Sequence, residues 1–165
     1  MPASPDDLFA YLDRLGIAHA TTVHEPLHTV EESRALKASM PGGHTKNLFM
    51  TNKDGDIVLI AAHADSQLKL NQLHKHIGTR RLSFASPDLM QEILGVRPGS
   101  VTAFALINDT DRRVRFLVDA ALLAYDPVNF HPLINTMTTS ISRDGFRTFV
   151  ESTGRTLEAM DFTAL

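Results

Sequence analysis

The spacing of apolar residues predicts a helix near the start of the chain. Leu8, Leu12 and Leu15 recur at helical intervals after Ser-Pro-Asp-Asp at residues 4–7. In this tetrapeptide serine can cap the helix, proline suits the first helical position, and the acids face the positive end of the helix dipole. Gly16 follows the last apolar position and provides the end of the helix.

Four further segments combine a capping residue with apolar positions at helical spacing, and they predict four more helices. The predicted caps are Thr29, Ser66, Ser86 and Ser142, and the predicted ends lie near residues 36, 78, 95 and 154. Thr29 belongs to a capping box with Glu32. Residues 40–45, MPGGHT, read as a loop because proline and two glycines interrupt both periodicities.

Runs rich in apolar and β-branched residues predict strands between these helices. Asp54-Gly55 separates two such runs and readily supplies the positive φ angles of a tight hairpin turn. Asn-Asp-Thr-Asp at residues 108–111 predicts a second hairpin. The predicted strands are residues 17–23, 46–51, 56–62, 81–84, 101–107 and 113–118. Helices scattered among hairpin-connected strands predict a mixed α/β fold with a mixed, mostly antiparallel sheet, in a single domain over residues 1–165.

Composition narrows the possible functions. The chain has 165 residues, 43% hydrophobic and 21% charged, which fits one soluble domain. It contains no apolar run of about 20 residues and begins without a signal-peptide pattern, so we expect a cytoplasmic protein with no membrane partner. The absence of cysteine excludes disulfides and thiolate nucleophiles. A net charge of −3 argues against non-specific coating of nucleic acid, and DNA is not an expected partner.

The common catalytic patterns are missing from the sequence. Pro26 separates His24 from His28, and Lys75 separates His74 from His76, so the eight histidines do not predict a metal site. There is no Gly-x-Ser-x-Gly motif and no evident pair of carboxylates for acid–base chemistry. A hydrolase with these residues would activate water by positioning it and by the polarity of the backbone.

Two features offer chemistry of that kind. Lys46 opens an apolar strand directly after the predicted loop, where its ammonium could reach a phosphate from a rigid base. The glycines at either end of residues 95–99 let backbone N–H groups turn toward a ligand, as in an oxyanion-stabilising loop. Each has an ordinary structural alternative, a solvated strand-end lysine and a helix stop followed by a turn.

A basic run is the remaining candidate. Residues 69–81 contain Lys69, Lys75, Arg80 and Arg81 without an acidic residue. These side chains could grip RNA phosphates, or they could form a solvated helix face.

Four segments together carry a resemblance to a known family. HEPLHTVEES, TKNLFM, GVRPGSVTAFAL and FHPLINTMTTSIS begin at residues 24, 45, 95 and 130. They closely resemble the bacterial prolyl-tRNA editing proteins, which are YbaK-like aminoacyl-tRNA deacylases related to the editing insertion of prolyl-tRNA synthetase. The segments occur in the family's order and cover nearly the whole chain. The His-Pro-Leu-x-Asn-x-x-Thr form is most similar to the branch that removes alanine from tRNA(Pro).

This resemblance implies a fold, a reaction and three catalytic residues. It implies a sheet curved around a pocket, hydrolysis of the aminoacyl ester, and no metal or organic cofactor. The implied partners are the acceptor end of mischarged tRNA(Pro) and prolyl-tRNA synthetase. Lys46 matches the family's lysine for the phosphate of the tRNA 3′ end, His131 the histidine that positions the aminoacyl-adenosine, and Gly99 the glycine of a Gly-x-x-x-Pro loop. Ala103 stands where that loop usually has proline.

The expected pocket is small and apolar, because a synthetase site made for proline cannot strongly reject alanine and a smaller second sieve restores accuracy. Leu27 and Val30 are the predicted walls, and Asn47, Ser100 and Asn135 the further substrate contacts. Two alternatives stay open: a deacylase for serine or cysteine on tRNA, and a non-catalytic module that binds the acceptor end.

Overall fold

The computed structural model describes residues 1–26 and 30–164, and the side chain of Val30 is not described. The helices are α1 (Pro5–Arg14), α2 (Val30–Ser39), α3 (Leu73–Ile77), α4 (Pro87–Leu94) and α5 (Arg143–Ser152). The strands are β1 (His19–Val23), β2 (Gly43–Thr51), β3 (Ile57–His63), β4 (Ser83–Phe84), β5 (Arg115–Asp119), β6 (Val128–Phe130), β7 (Met137–Ile141) and β8 (Glu158–Met160).

Three serine caps form as predicted. The Ser4 hydroxyl accepts from Asp7 N while the Asp7 carboxylate accepts from Ser4 N, which completes a capping box. Ser86 caps α4 and Ser142 caps α5 by accepting from the backbone N–H three residues on. These helices depend on contacts within a few residues, so their ends follow from local sequence.

The predicted cap at Ser66 is wrong. Its hydroxyl donates to Asp119 Oδ2 at 2.6 Å, and the helix is reduced to a 3₁₀ turn at Leu70–Gln72 followed by α3. A long-range partner therefore replaces the local cap. The cap at Thr29 lies outside the described residues, and α2 continues past Leu36 to Ser39.

The second predicted hairpin is also wrong. Ala103–Asn108 forms a 3₁₀ helix, which begins where Thr102 Oγ1 accepts from Phe104 N. The Asp109 carboxylate accepts from the backbone N–H groups of Arg113 and Val114, so residues 109–114 fold around a side chain. Strand β5 then pairs in parallel with β3.

The eight strands form one mixed sheet, as predicted. The strand order is β1-β7-β6-β2-β3-β5-β8, and β4 pairs with β2. The pairs β1/β7, β6/β7, β2/β3 and β2/β4 are antiparallel, while β2/β6, β3/β5 and β5/β8 are parallel. The β2/β3 hairpin turns at Gly55, whose φ is +82°. Because β2 starts at Gly43, the predicted loop over residues 40–45 is too long.

Apolar residues fill both faces of the sheet. Phe49, Leu59 and Phe130 pack on one face with residues of α1, α4 and α5. Met50 and Ile60 pack on the other face with residues of α3. Among the described residues, no helix is long and apolar enough to cross a bilayer.

Candidate active site

A small cavity lies where β2, β6 and β7 meet α2. Its volume is about 250 Å³. The lining residues are Ser33, Leu36, Lys37, His44, Thr45, Ala64, Asn129, Phe130, His131 and Thr138.

The parallel pairing of β2 with β6 positions one side of this cavity. His44 lies opposite Asn129 in the register, and Thr45 Oγ1 donates to the Asn129 carbonyl at 2.7 Å. Asn129 is 1% exposed, and its Nδ2 donates to the carbonyls of Pro41 and Gly43 at 3.1 and 3.3 Å. One buried amide thus fixes the turn that joins α2 to β2, and with it the helical wall of the cavity.

His131 enters the cavity as a neutral imidazole. Its Nδ1 lies 3.1 Å from the Met137 carbonyl, and a carbonyl oxygen can only accept, so Nδ1 carries the proton and Nε2 keeps a lone pair. Burial lowers the pKa of His131 below its ordinary value of 6.5; the Met137 bond opposes this shift, and nearby His24 adds to it. The ring is therefore uncharged at neutral pH.

His44 is a second neutral imidazole in the lining. Its Nε2 lies 2.9 Å from the Met40 carbonyl, which fixes Nε2 as the protonated nitrogen. Burial lowers the pKa of His44, against the effect of that hydrogen bond. No local signal in the sequence points to His44, because α2 and β6 complete its surroundings.

Two more residues that sequence reasoning missed lie beside His131. His24 Nε2 is 2.8 Å from Thr138 Oγ1, and the rings of His24 and His131 have centroids 6.4 Å apart. Strand pairing of β1 with β7 brings His24 here, since His24 N donates to the Thr136 carbonyl just beyond the paired residues. Only the β1/β7 register could have disclosed this contact.

Lys46 lies beside this cavity but is not part of its lining. Successive side chains of a strand point to opposite faces, so Lys46 lies on the face opposite Thr45. Its Nζ donates to the Ser66 carbonyl. The Ser66 hydroxyl in turn donates to buried Asp119. The carbonyl that accepts from the Lys46 ammonium therefore belongs to a residue whose position a second hydrogen bond holds.

A second cavity, of about 460 Å³, contains other predicted substrate contacts. Ser100 and Asn135 line it, and a Cβ added at Gly99 would lie 3.3 Å from Asn135 Nδ2. Asn47 Oδ1 accepts from Ala103 N at 3.1 Å and ties β2 to the glycine loop. The structure therefore groups Gly99, Ser100, Asn135 and Asn47 around one loop.

Residues 130–138 connect the two cavities. Phe130, His131 and Thr138 line the smaller one, and residues 133–136 line the larger one. Leu133, in the lining of the larger cavity, has a φ of +72°, an uncommon conformation for a residue with a side chain and one often found at functional sites. The structure does not place Lys46, Gly99 and His131 in one cavity.

The predicted basic residues separate into two groups. Arg80 and Arg81 line a surface groove of about 940 Å³ together with Lys53 and His74. Arg80 Nε also lies 3.2 Å from an Asp54 carboxylate oxygen. Lys69 and Lys75 are exposed and do not line this groove.

The predicted apolar walls cannot be placed in the same way. Leu27 lies outside the described residues, and Val30 begins α2 with a side chain that is not described. Within residues 1–26 and 30–164, no group of three His, Asp or Glu side chains is arranged to hold a metal ion.

Comparison with known protein families finds a match over most of the chain. The aminoacyl-tRNA editing domain matches residues 24–149. The chain belongs to this family. The matched part of the chain includes residues 130–138, which contribute to the lining of both cavities. It also includes all three predicted catalytic residues.

Individual proteins similar to this editing domain have names that refer to prolyl-tRNA editing or to prolyl-tRNA synthetase. It is 31% identical to the prolyl-tRNA editing protein ProX of Acetoanaerobium sticklandii, over 93% of this chain and 94% of the relative. It is 37% identical to the prolyl-tRNA synthetase associated domain-containing protein 1 of Bos taurus, over 87% and 86%. A crystal structure described as a candidate trans-editing enzyme for prolyl tRNA synthetase superposes with a TM-score of 0.72 at 16% identity, covering 98% of each chain, and this likeness confirms the fold.

Proposed function

We propose that this chain is a trans-editing deacylase that hydrolyses mischarged tRNA(Pro) in the cytoplasm, with alanine as the amino acid removed. Family membership supports editing of aminoacyl-tRNA, and the relatives' names support tRNA(Pro) and a partnership with prolyl-tRNA synthetase. The single domain over residues 1–165 is part of this proposal.

The size of the smaller cavity supports a small amino acid as the group removed, and the choice of alanine among the small ones follows from the His-Pro-Leu-x-Asn-x-x-Thr segment at residues 131–138. At about 250 Å³ it falls below the roughly 300–1,000 Å³ of pockets for drug-sized ligands. Leu36, Ala64 and Phe130 give it apolar surface beside the neutral His131. Such a space suits a short aminoacyl group. An editing site for tRNA(Pro) must admit a small wrong amino acid and exclude proline.

The mechanism we propose places the ester at residues 131–135, between the two cavities. The aminoacyl group enters the smaller cavity, and the unprotonated Nε2 of His131 orients the aminoacyl-adenosine or the attacking water. Backbone N–H groups of the loop at Gly99 approach from the other side and stabilise the oxyanion. Lys46 binds the 3′-terminal phosphate, and Asn47, Ser100 and Asn135 hold the loop and the substrate.

The experiment that tests this function is deacylation of a panel of tRNA(Pro) charged with alanine, serine, cysteine or proline. The proposal expects rapid loss of the alanyl ester and retention of the prolyl ester. Preferential cleavage of seryl- or cysteinyl-tRNA would show that serine or cysteine, and not alanine, is the amino acid removed. Protection of every ester would instead indicate the non-catalytic binding module.

The groove at Arg80 and Arg81 is our proposed contact for the acceptor stem. Thr51 lines this groove and Thr45 lines the smaller cavity, so the two sites lie about 20 Å apart along β2 at roughly 3.3 Å per residue. That span leaves room for the unpaired 3′ end between cavity and groove. Lys69 and Lys75 would contact the backbone outside the groove.

Replacing Arg81 with alanine is expected to weaken tRNA binding and to reduce the slope of log affinity against log salt by about 1, because one phosphate contact is lost. Arg147→Ala removes a similar exposed charge from α5 and is the matched control. Equal salt slopes for the two variants, measured by titration of tRNA at several salt concentrations, would exclude the groove.

The pKa of His131 predicts the pH profile. If neutral His131 is the active form, protonation of His131 does not lower kcat/KM as pH falls from 8 to about 6.5, since the pKa of His131 lies below 6.5. At lower pH the rate should fall by up to about tenfold per unit as the ring is protonated. Initial rates from pH 5 to 8, corrected for spontaneous ester hydrolysis, measure this. His131→Asn should lack the acid limb, and an unchanged limb would assign it to another group.

A further inference from the structure

Two adjacent threonines of β7 differ in what their hydroxyls face. Thr138 is 4% exposed and lines the smaller cavity. Thr139 is 0% exposed, is not part of that lining, and bonds Thr21 Oγ1 at 2.8 Å. Both hydroxyls are thus partnered on β1 or directly after it, and they differ in access to the cavity.

His24 determines the direction of the Thr138 hydroxyl. His24 Nδ1 lies 2.7 Å from the Glu25 carbonyl, which can only accept, so Nδ1 carries a proton. In the tautomer with its single proton on Nδ1, Nε2 is an acceptor, and the Thr138 hydroxyl at 2.8 Å donates to it. With its one proton committed to His24, Thr138 Oγ1 can only accept a hydrogen bond from a molecule in the cavity.

We propose that Thr138 is a substrate-binding residue whose oxygen accepts a hydrogen bond from the α-ammonium of the aminoacyl group, and that His24 is its positioning residue. This inference rests on the proposed function. An aminoacyl ester has one strong cationic donor, the α-ammonium, and hydrogen bonds with a charged partner are the stronger kind. Among the described residues that line the cavity, Lys37 is the one Lys or Arg side chain, and its Nζ lies 3.6 Å from Asp65 Oδ1.

This assignment means that the site recognises an amino acid and not merely a short acyl chain. A propionyl ester on tRNA(Pro) has the same carbon skeleton as alanine but lacks the α-ammonium. The wild-type protein should therefore prefer alanyl-tRNA over propionyl-tRNA, beyond the difference in their spontaneous hydrolysis.

The decisive measurement is the alanyl-to-propionyl ratio of kcat/KM. Thr138→Val should lower this ratio by at least about tenfold, because it removes a hydrogen bond to a charged group. Thr138→Ala should do the same if the valine variant does not fold. Thr138→Ser, which restores the oxygen, should keep the wild-type ratio, and so should Thr139→Val, which loses a buried hydroxyl outside the cavity.

His24 is tested by a pair of variants. His24→Leu should lower the ratio, while His24→Gln, which offers a carbonyl acceptor to the Thr138 hydroxyl, should keep most of it. A ratio unchanged in Thr138→Val, or lowered equally in Thr139→Val, overturns the assignment of Thr138. Loss of the ratio in both His24 variants overturns the positioning role. If wild-type protein fails to cleave alanyl-tRNA(Pro), the proposed function itself fails, which is a different result from an active protein with an unchanged ratio.

Discussion

Replacing Lys46 with methionine is expected to lower kcat/KM for alanyl-tRNA(Pro) by about 100-fold, because truncating one partner of a close charge pair costs about 3 kcal/mol. The ammonium donates to the Ser66 carbonyl, so it is already held at a defined point beside β2 when substrate arrives. A phosphate that replaced or shared this contact would gain a preorganised cation. Deacylation rates at several tRNA concentrations measure the loss, which should lie mainly in KM.

Two controls separate charge from packing in this experiment. Lys46→Arg keeps the positive charge and should retain much more activity than the methionine variant. Thermal unfolding should show that both variants are folded, since losing one half-buried hydrogen bond to a carbonyl costs about 1 kcal/mol. Wild-type activity in Lys46→Met would remove Lys46 from the site.

Local signals in the sequence were sufficient for most of the secondary structure. Helices α1, α4 and α5 begin at serines whose hydroxyls accept from N–H groups three residues away. The β2/β3 hairpin turns where Asp-Gly predicts it. Each of these features requires only a few neighbouring residues, which the sequence displays in order.

The wrong predictions arise where contacts between residues far apart in the sequence determine the local structure. Ser66 looks like a helix cap, but Asp119, far along the chain, takes its hydroxyl. Residues 101–107 look like a strand, but this segment is buried nearly throughout, so its apolar run has no period that separates strand from 3₁₀ helix. Tertiary partners decide both segments.

The residues of the candidate site also fall into those that a local motif indicates and those that only strand pairing brings together. Gly99 and His131 lie in contiguous motifs and could be chosen from the sequence. His24, His44 and Thr138 could not, because each becomes part of the site through pairing of β1 with β7 or β2 with β6. Lys46 lies in a strand, as predicted, but its orientation depends on the register of β2 with its neighbours.

Gly42 is expected to be far less tolerant of alanine than Gly55. Both have positive φ, +101° and +82°, so alanine is strained at either position by about 1–2 kcal/mol. A Cβ at Gly55 would meet nothing within 4 Å, whereas a Cβ at Gly42 would lie 2.2 Å from the Pro127 carbonyl oxygen. Relieving that overlap requires a backbone shift, so we expect Gly42→Ala to lower the free energy of unfolding by about 3–5 kcal/mol.

The same backbone shift should reach the candidate active site. Gly42 lies between the two carbonyls, of Pro41 and Gly43, that Asn129 binds, and this turn carries α2 over the cavity. Denaturant unfolding compares the stabilities, and deacylation measured where both variants are fully folded compares the sites. Gly55→Ala should keep its kcat at saturating tRNA, because its hairpin tip lies at the end of β2 away from the cavity, while Gly42→Ala should lose kcat even when folded. Equal stability losses in the two variants would show that the turn yields without strain and that α2 is not held by it.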